Sequence, residues 1–254
     1  MHHYSSGGFG QRTRGGPLKA RRSISRVGRI RTNVYIDGFN LYYGSLKGGP
    51  HKWLDIDALF AFLLPKNDIR KIRYFTARVE ARSNDPDLPV RQDTYLRALA
   101  SRSKVEVHFG SFMSNCVRAP IVEQDPAGRP IRQNGKPVVA LKPNGTAKME
   151  WVHKSEEKGS DVNLASYLLR DAFKGECECA VIVSNDSDLL TPIRIAREEC
   201  GLTIGLVLPR PNGSIALKQL AHFQKPLRVH ALAASQFPEV FNDSVGTVSK
   251  PAGW

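Results

Sequence analysis

Acidic side chains follow two apolar runs of the sequence at the point where each run stops. Asp37 comes directly after the run 34–36, and Asp186 and Asp188 come shortly after the run 180–183. Short apolar runs of this kind are typical of buried parallel strands, and open parallel sheets bind ligands beyond the carboxyl ends of their strands. We therefore expect these carboxylates to lie at one edge of a sheet.

A third acid, Asp161, begins a segment with helical periodicity. Each acid alone also fits a structural role: Asp37 in a turn before Asn40, Asp188 as a helix cap, and Asp161 as a favourable charge at a helix N terminus. Carboxylates brought together repel each other, so a cluster is expected mainly where a divalent cation neutralises it. Mg²⁺ or Mn²⁺ held by Asp37, Asp161, Asp186 and Asp188 would suit phosphodiester hydrolysis.

In this order and spacing the acidic segments resemble the NYN domain, in its bacterial LabA-like branch. The segments are residues 35–40, 158–162 and 184–188, and the resemblance spans about Asn33 to Ala231. It implies an α/β, PIN-like three-layer fold with a central mainly parallel sheet, helices on both faces and a β-hairpin insertion.

The resemblance also implies a metal-dependent endoribonuclease that leaves 5′-phosphate and 3′-hydroxyl ends. Its metal ligands would be Asp37, Asp161, Asp186 and Asp188. Asn40 would orient the substrate or a metal-bound water. All five are therefore candidate catalytic residues.

The charge of the chain suggests a polyanionic partner. The formal net charge is +13, and more than half of this excess lies in residues 1–36, which hold eight Lys or Arg and no acid. Arg78, Arg82, Lys154 and Lys158 lie near expected strand ends and are candidates for contacting RNA phosphates, although each alone is also typical of a solvated surface. We expect the partner to be RNA, single-stranded or structured.

Alternating apolar runs and helical patterns predict a parallel sheet covered by helices. The expected strands are Asn33–Asp37, Ile72–Ala77, Val105–Phe109, Cys179–Ser184, Thr203–Leu208 and Arg228–Ala231. The expected helices are Phe39–Ser45, Ile56–Leu63, Pro86–Ser103, Val162–Phe173, Asp188–Glu199 and Ser214–His222.

The sequence divides into an N-terminal arm, a nuclease domain and a tail. Residues 1–31 are rich in Gly, Ser and Arg, and we expect a disordered basic arm that attracts RNA, aids solubility or directs the chain to mitochondria. The domain covers 32–237 and carries an insertion at about 112–158, in which a hairpin is expected across Asn144 and Gly145. Residues 238–254 are expected to form an irregular tail.

Composition and missing motifs restrict the other functions. No apolar run is long enough to cross a membrane, and the four cysteines lack paired zinc-site spacing, so we expect a cytoplasmic protein with reduced thiols. The sequence is compatible with a monomer or a homodimer. The main alternative is an RNA-binding or regulatory module with little or no catalysis. A phosphatase of the haloacid dehalogenase type needs a second acid two positions after its first, where this chain has Phe39.

Overall fold

The computed structural model describes residues 28–210 and 213–254 and shows an α/β fold built on a central six-stranded sheet. In chain order the strands are β1 (Ile30–Asp37), β2 (Asn67–Thr76), β3 (Val105–Phe109), β4 (Ser111–Pro120), β5 (Arg132–Gln133), β6 (Lys136–Pro137), β7 (Met149–Lys158), β8 (Cys179–Val183), β9 (Thr203–Leu208), β10 (Phe223–Pro226), β11 (Val240–Asn242) and β12 (Thr247–Ser249). The helices are α1 (Gly38–Leu41), α2 (Ile56–Leu63), α3 (Leu88–Ala100), α4 (Ser160–Phe173), α5 (Leu190–Glu198), α6 (Ile215–Leu220) and α7 (Val229–Ala234). A π-helical turn, Tyr42–Leu46, continues α1, and a 3₁₀ turn, Ser187–Leu189, precedes α5.

The central sheet is parallel throughout, in the order β10-β9-β8-β1-β2-β3. Strand β1 lies between β2 and β8, and all five residues of β8 are buried. Strands covered on both faces need apolar residues at successive positions, which explains the continuous apolar runs of the sequence. Because the strands are parallel, β1 and β8 end side by side at the same edge of the sheet.

Helices cover both faces of the sheet and form a three-layer structure. Val34 and Ile36 point into one core with α2, α3 and α7, whereas Tyr35 points into the other with α4, α5 and α6. The arrangement is consistent with the expected PIN-like fold. Within the described residues no helix is both long and apolar enough to cross a membrane.

The sixth strand of the sheet is not the one predicted. The prediction of a strand at Arg228–Ala231 was wrong, because Val229–Ala234 forms α7 and the edge strand is β10, Phe223–Pro226. Ala231 and Leu232 are buried on one side of that helix. A short apolar stretch rich in alanine favours a helix, and periodicity alone does not distinguish it from a strand.

The insertion forms a long two-stranded ribbon, residues 111–158, in which β4 and β7 pair antiparallel over ten positions. The predicted turn at Asn144 and Gly145 is confirmed, and the Lys142 amide donates to the Thr146 carbonyl across it (2.8 Å). Residues beyond the turn soon leave this small hairpin, since Val152 pairs with the distant Val117 instead. Turn signals predicted the local hairpin but gave no information about this longer pairing.

The segment expected to be an irregular tail is folded against the domain. Strands β11 and β12 form an antiparallel hairpin, Val248 is buried, and the Arg97 guanidinium of α3 binds Asp243 (2.7 Å). Trp254 packs against Trp53 (6.4 Å between ring centroids). At the other end of the chain, the arm predicted for 1–31 lies outside the described residues up to position 27, and β1 begins at Ile30.

Candidate active site

Asp37 is fixed at the carboxyl end of β1. One of its carboxylate oxygens accepts from the Asn40 amide nitrogen (2.9 Å), so Asp37 caps α1. The other oxygen accepts from the Asn40 side-chain amide and from the Ser184 hydroxyl (3.1 Å). The carboxylate is almost fully buried and is held by partners from two neighbouring strand ends.

The segment after β8 continues this hydrogen-bonded chain. The Ser184 hydroxyl accepts from the backbone amide of Asp186 (3.0 Å). The Asp186 carboxylate in turn accepts from the backbone amide of Asp188 (2.9 Å), so Asp186 caps the 3₁₀ turn. The backbone amide of Asn185 donates to the side-chain oxygen of Asn40 (3.3 Å). Asn40 is therefore a positioning residue that ties the end of β1 to the end of β8, with one amide hydrogen left for a ligand.

Asp161 approaches the same edge from the first turn of α4. Gly159 has a φ of 96°, a left-handed conformation that suits glycine and turns the chain sharply from β7 into the helix. Glu157 then holds the first residue of α4, because its carboxylate accepts from the Ser160 backbone amide (3.0 Å) and hydroxyl (2.7 Å). This entry fixes the direction of Asp161 at the helix N terminus.

The four aspartates influence each other electrostatically. Burial and, in decreasing order of size, the charges of Asp37, Asp186, Glu157 and Asp188 together raise the pKa of Asp161 to about 6. Burial also raises the pKa of Asp37; hydrogen bonds from Asn40 and Ser184 oppose the shift, and Asp186 adds to it. The edge of the sheet is therefore a site of concentrated negative charge that favours a proton or a cation.

The carboxylates are close enough to repel but do not form a closed cage. Among residues 28–210 and 213–254, no three His, Cys, Asp or Glu side chains are arranged to hold one ion together. Mg²⁺ usually keeps several waters and is held by one or two carboxylates together with substrate phosphates. The oxygen-only donor set and the open arrangement fit this mode of binding.

The four basic candidates have different surroundings. Arg78 pairs with Asp93 and lies over the Phe109 ring (4.9 Å), whereas the Arg82 side chain has no ion pair among the described residues. Lys154 and Lys158 both pair with Glu156; the distance from the Lys158 ammonium is 3.2 Å. Lys154 and Lys158 alternate in β7 with Glu157, so they lie on the opposite face of the ribbon. That face is turned away from the acidic edge, by which we mean the end of the sheet that carries Asp37, Asp161, Asp186 and Asp188.

A sequence profile of the NYN domain matches residues 31–227. The chain belongs to the NYN domain family. NYN domains are members of the PIN-like nuclease superfamily, which suggests a nuclease-type hydrolase with RNA as substrate.

Two known proteins extend this comparison. The NYN chain is 33% identical over 253 residues to 6-hydroxy-3-succinoylpyridine 3-monooxygenase HspA of Pseudomonas putida (strain DSM 28022 / S16), which covers 89% of this chain and 75% of that protein. A crystal structure of a protein of unknown function from Vibrio parahaemolyticus RIMD 2210633 is similar with a TM-score of 0.50 and 13% identity, covering 84% of this chain and 100% of that one. The second similarity concerns the fold alone.

Sequence reasoning missed three residues of this NYN site. The Glu157 carboxylate accepts from Ser160, and the Ser184 hydroxyl donates to Asp37. Asn185 has a side-chain amide whose oxygen and nitrogen are both buried without a partner among the described residues. A capping box has Ser or Thr first and Glu or Gln three residues later, so the reversed order of Glu157 and Ser160 gave no such signal. No sequence signal distinguishes the unpaired amide of Asn185 from an ordinary turn residue.

Proposed function

We propose that this NYN chain, of the LabA-like branch, is a metal-dependent endoribonuclease that hydrolyses RNA phosphodiester bonds at the acidic edge of the sheet. The observation that carries the proposal is the electrostatic coupling of Asp161 to Asp37, Asp186 and Asp188. Four carboxylates drawn from the ends of β1 and β8 and the start of α4 serve no common structural purpose, whereas a hard cation makes their proximity favourable.

The donors suit Mg²⁺ or Mn²⁺, and Asp37, Asp161, Asp186 and Asp188 would hold it, some of them through water. When bound, such an ion supplies a Lewis acid for a phosphate oxygen and lowers the pKa of a water. Asn40 and Ser184 keep the Asp37 carboxylate in one orientation, so that little reorganisation is needed when substrate arrives.

The reaction is a direct displacement at phosphorus. A water oxygen attacks the phosphorus and loses a proton, the bond from phosphorus to the 3′ oxygen breaks, and the 3′ oxygen takes up a proton. The products are a 5′-phosphate and a 3′-hydroxyl, with no covalent intermediate on the protein. The aspartates orient the water and hold its departing proton near the site.

One face of the ribbon supports RNA as the substrate. Phe112, which lies edge-on to Phe39 at the acidic edge (5.8 Å between centroids), shares this face with the cross-strand pair Arg118 and Trp151. Trp151 is 70% exposed, which is unusual for so large an apolar side chain. An aromatic ring beside a guanidinium is a common way to grip unpaired bases and their phosphates.

The cytoplasm is the compartment we assign to this activity. Cys116, Cys177, Cys179 and Cys200 are all free, as expected where thiols stay reduced.

The experiment is a cleavage assay with labelled single-stranded RNA in Mg²⁺ or Mn²⁺ against EDTA. We expect internal cleavage that EDTA abolishes and that Asp37→Asn and Asp186→Asn reduce by about 10² or more. Asp68→Asn is the matched control, because Asp68 lies at the opposite edge of the sheet, paired with Arg70 (3.2 Å). Cleavage in EDTA, or undiminished cleavage by both site variants, would contradict the proposal; RNA binding without cleavage would favour a regulatory module.

The monooxygenase relative supports a second candidate function. With 33% identity over most of the chain, hydroxylation of a small pyridine is a reaction to test directly. A monooxygenase transfers one oxygen atom of dioxygen to its substrate and reduces the other to water, so the assay supplies dioxygen together with a reduced nicotinamide as the two-electron reductant. Consumption of 6-hydroxy-3-succinoylpyridine that depends on dioxygen and the reductant, without RNA cleavage, would establish this candidate over the ribonuclease.

A further inference from the structure

A cavity of about 140 Å³ opens beside the acidic edge and has no role in the chemistry described above. Gly38 and Phe39, the two residues after Asp37, form part of its wall. Six aromatic side chains line it: Phe39, Tyr42, Tyr43, Tyr74, Tyr95 and Trp254. A cavity of about 150 Å³ accommodates benzene, so the space matches a single ring system.

The tyrosine hydroxyls of this cavity differ in their hydrogen bonding. Within the described part of the chain, the hydroxyls of Tyr42, Tyr43 and Tyr74 have no hydrogen-bond partner, whereas the Tyr95 hydroxyl donates to the Leu54 carbonyl (2.8 Å). Three phenols are therefore available to a ligand with polar substituents. An apolar ligand would leave these hydroxyls unsatisfied at the wall.

The charges at the rim favour an anion. Lys47 lies over the Tyr43 ring (4.9 Å), and Lys52 and Arg82 also line the cavity. The acid among the lining residues, Asp85, is paired with Arg91. The cationic groups thus face the cavity without a carboxylate of its own wall to neutralise them.

We propose that this cavity binds a planar heteroaromatic ring that carries an anionic substituent. The ring stacks against the tyrosines, the phenols donate to its polar atoms, and Lys47, Lys52 and Arg82 attract its negative group. A nucleotide and a free pyridine acid share this chemistry. The proposal goes beyond the reaction at the acidic edge and holds whichever reaction takes place there.

The test is a titration of the whole protein, in EDTA, with three probes. Uridine 5′-monophosphate represents the nucleotide, 6-hydroxy-3-succinoylpyridine represents the free heterocycle, and succinate is the non-aromatic anion. Isothermal titration calorimetry should show saturable binding of at least one aromatic probe and none of succinate. The aromatic probe that binds identifies the source of the ligand, and binding of both supports the same cavity.

Two variants tie the binding to the cavity. Tyr43→Ala should weaken binding of the aromatic probe about tenfold, the loss expected for one stacked ring. Lys47→Gln should also weaken its binding, because the variant removes a positive charge that attracts the anionic substituent, and it should leave the fold unchanged. Tyr43 is 43% exposed, so its truncation leaves the core intact. The matched control is Phe62→Ala, an exposed ring on α2 that contacts His230 away from the cavity.

Three results would overturn the proposal: no binding of either aromatic probe, equal binding of succinate, or unchanged affinity in both cavity variants. Because the titration needs neither metal nor turnover, its outcome is independent of the cleavage assay. Loss of RNA cleavage in Asp37→Asn leaves the cavity result standing, and a failed titration leaves the ribonuclease proposal standing.

Discussion

The carboxylates of Asp37 and Asp186 each have a structural role and an electrostatic role. Each caps the helical turn that follows its strand, and each also contributes charge to the acidic edge. The oxygen that accepts the capping hydrogen bond has two lone pairs, so it can accept a second partner and still cap the turn. The structural and the functional interpretations of these acids are therefore compatible at the level of the single residue.

The raised pKa of Asp161 predicts that the site costs stability. Its folded pKa of about 6 lies above the ordinary value of 3.8, so the native state binds more protons and stability falls as the pH rises between these values. Asp161→Asn should therefore raise the free energy of unfolding at about pH 8 by about 1 kcal/mol, a figure reduced for solvent screening of a half-exposed group. Urea unfolding at about pH 8 and about pH 3 measures the difference.

The gain from Asp161→Asn should disappear at about pH 3, where the carboxylate is protonated in both states. It should also shrink when saturating Mg²⁺ is added to both proteins, because the ion neutralises the repulsion. Asp68→Asn is the reference for a surface carboxylate. An equal stabilisation at both pH values would show that the effect is not electrostatic.

Single residues were the most predictable part of the site. Asp37, Asp186 and Asp188 were predicted as site residues because they follow apolar runs, and Asp161 because it begins a helical pattern. Glu157 and Ser184 were missed because their roles depend on contacts that no sequence pattern shows. Glu157 contacts Ser160 across the turn before α4, and Ser184 contacts Asp37 on another strand. The Ser184 hydroxyl meets Asp37 across 147 positions, a contact that only the parallel pairing of β1 and β8 creates.

At the scale of elements, a buried polar network fixes α4 and with it Asp161. The Asp171 carboxylate of α4 accepts from Arg73 of β2 (2.8 and 3.1 Å) and from the Tyr35 hydroxyl of β1 (2.9 Å). Burial alone would raise the pKa of Asp171, but Arg73 and Tyr35 hold it below its ordinary value. This stabilisation is present above the unfolded pKa and is lost as the pH falls through the folded one.

Asp171→Asn should destabilise the protein by about 3 kcal/mol, because it leaves the Arg73 guanidinium buried with its main counter-charge removed. Glu106→Gln is a close control: Glu106 pairs with the same guanidinium but its side chain is 42% exposed, so the cost should stay below about 1 kcal/mol. Thermal unfolding measures both. Similar losses in the two variants would mean that the burial of Asp171 contributes nothing special.

Elements with strong periodicity were predictable, and elements defined by distant pairing were not. The five strands β1, β2, β3, β8 and β9 and most helices were found within a few residues of their positions. The edge strand β10 was missed because edge strands carry weak apolar patterns; only Phe223 of its four residues is partly buried. The partnership of β4 with β7 was missed since its two strands are exposed and separated by a long loop.

At the scale of the whole molecule, we predict that the two faces of the ribbon contribute differently to RNA binding. Trp151→Ala and Arg118→Gln, on the face that continues from Phe112, should weaken binding of single-stranded RNA about tenfold each. Lys154→Gln, on the opposite face and paired with Glu156, should change the affinity by less than about twofold. Fluorescence anisotropy in EDTA measures binding without cleavage. A larger loss in Lys154→Gln would reverse the assignment of the faces.

The position of the ribbon between β3 and α4 also divides the site between two halves of the chain. Asp37 and Asn40 precede it, whereas Asp161, Asp186 and Asp188 follow it. A chain opened at the exposed turn near Ala127 would give two fragments, neither of which has all four aspartates. The antiparallel pairing of β4 and β7 over ten positions would then help the two fragments to reassemble. The protein is therefore suited to a split reporter whose signal requires both fragments.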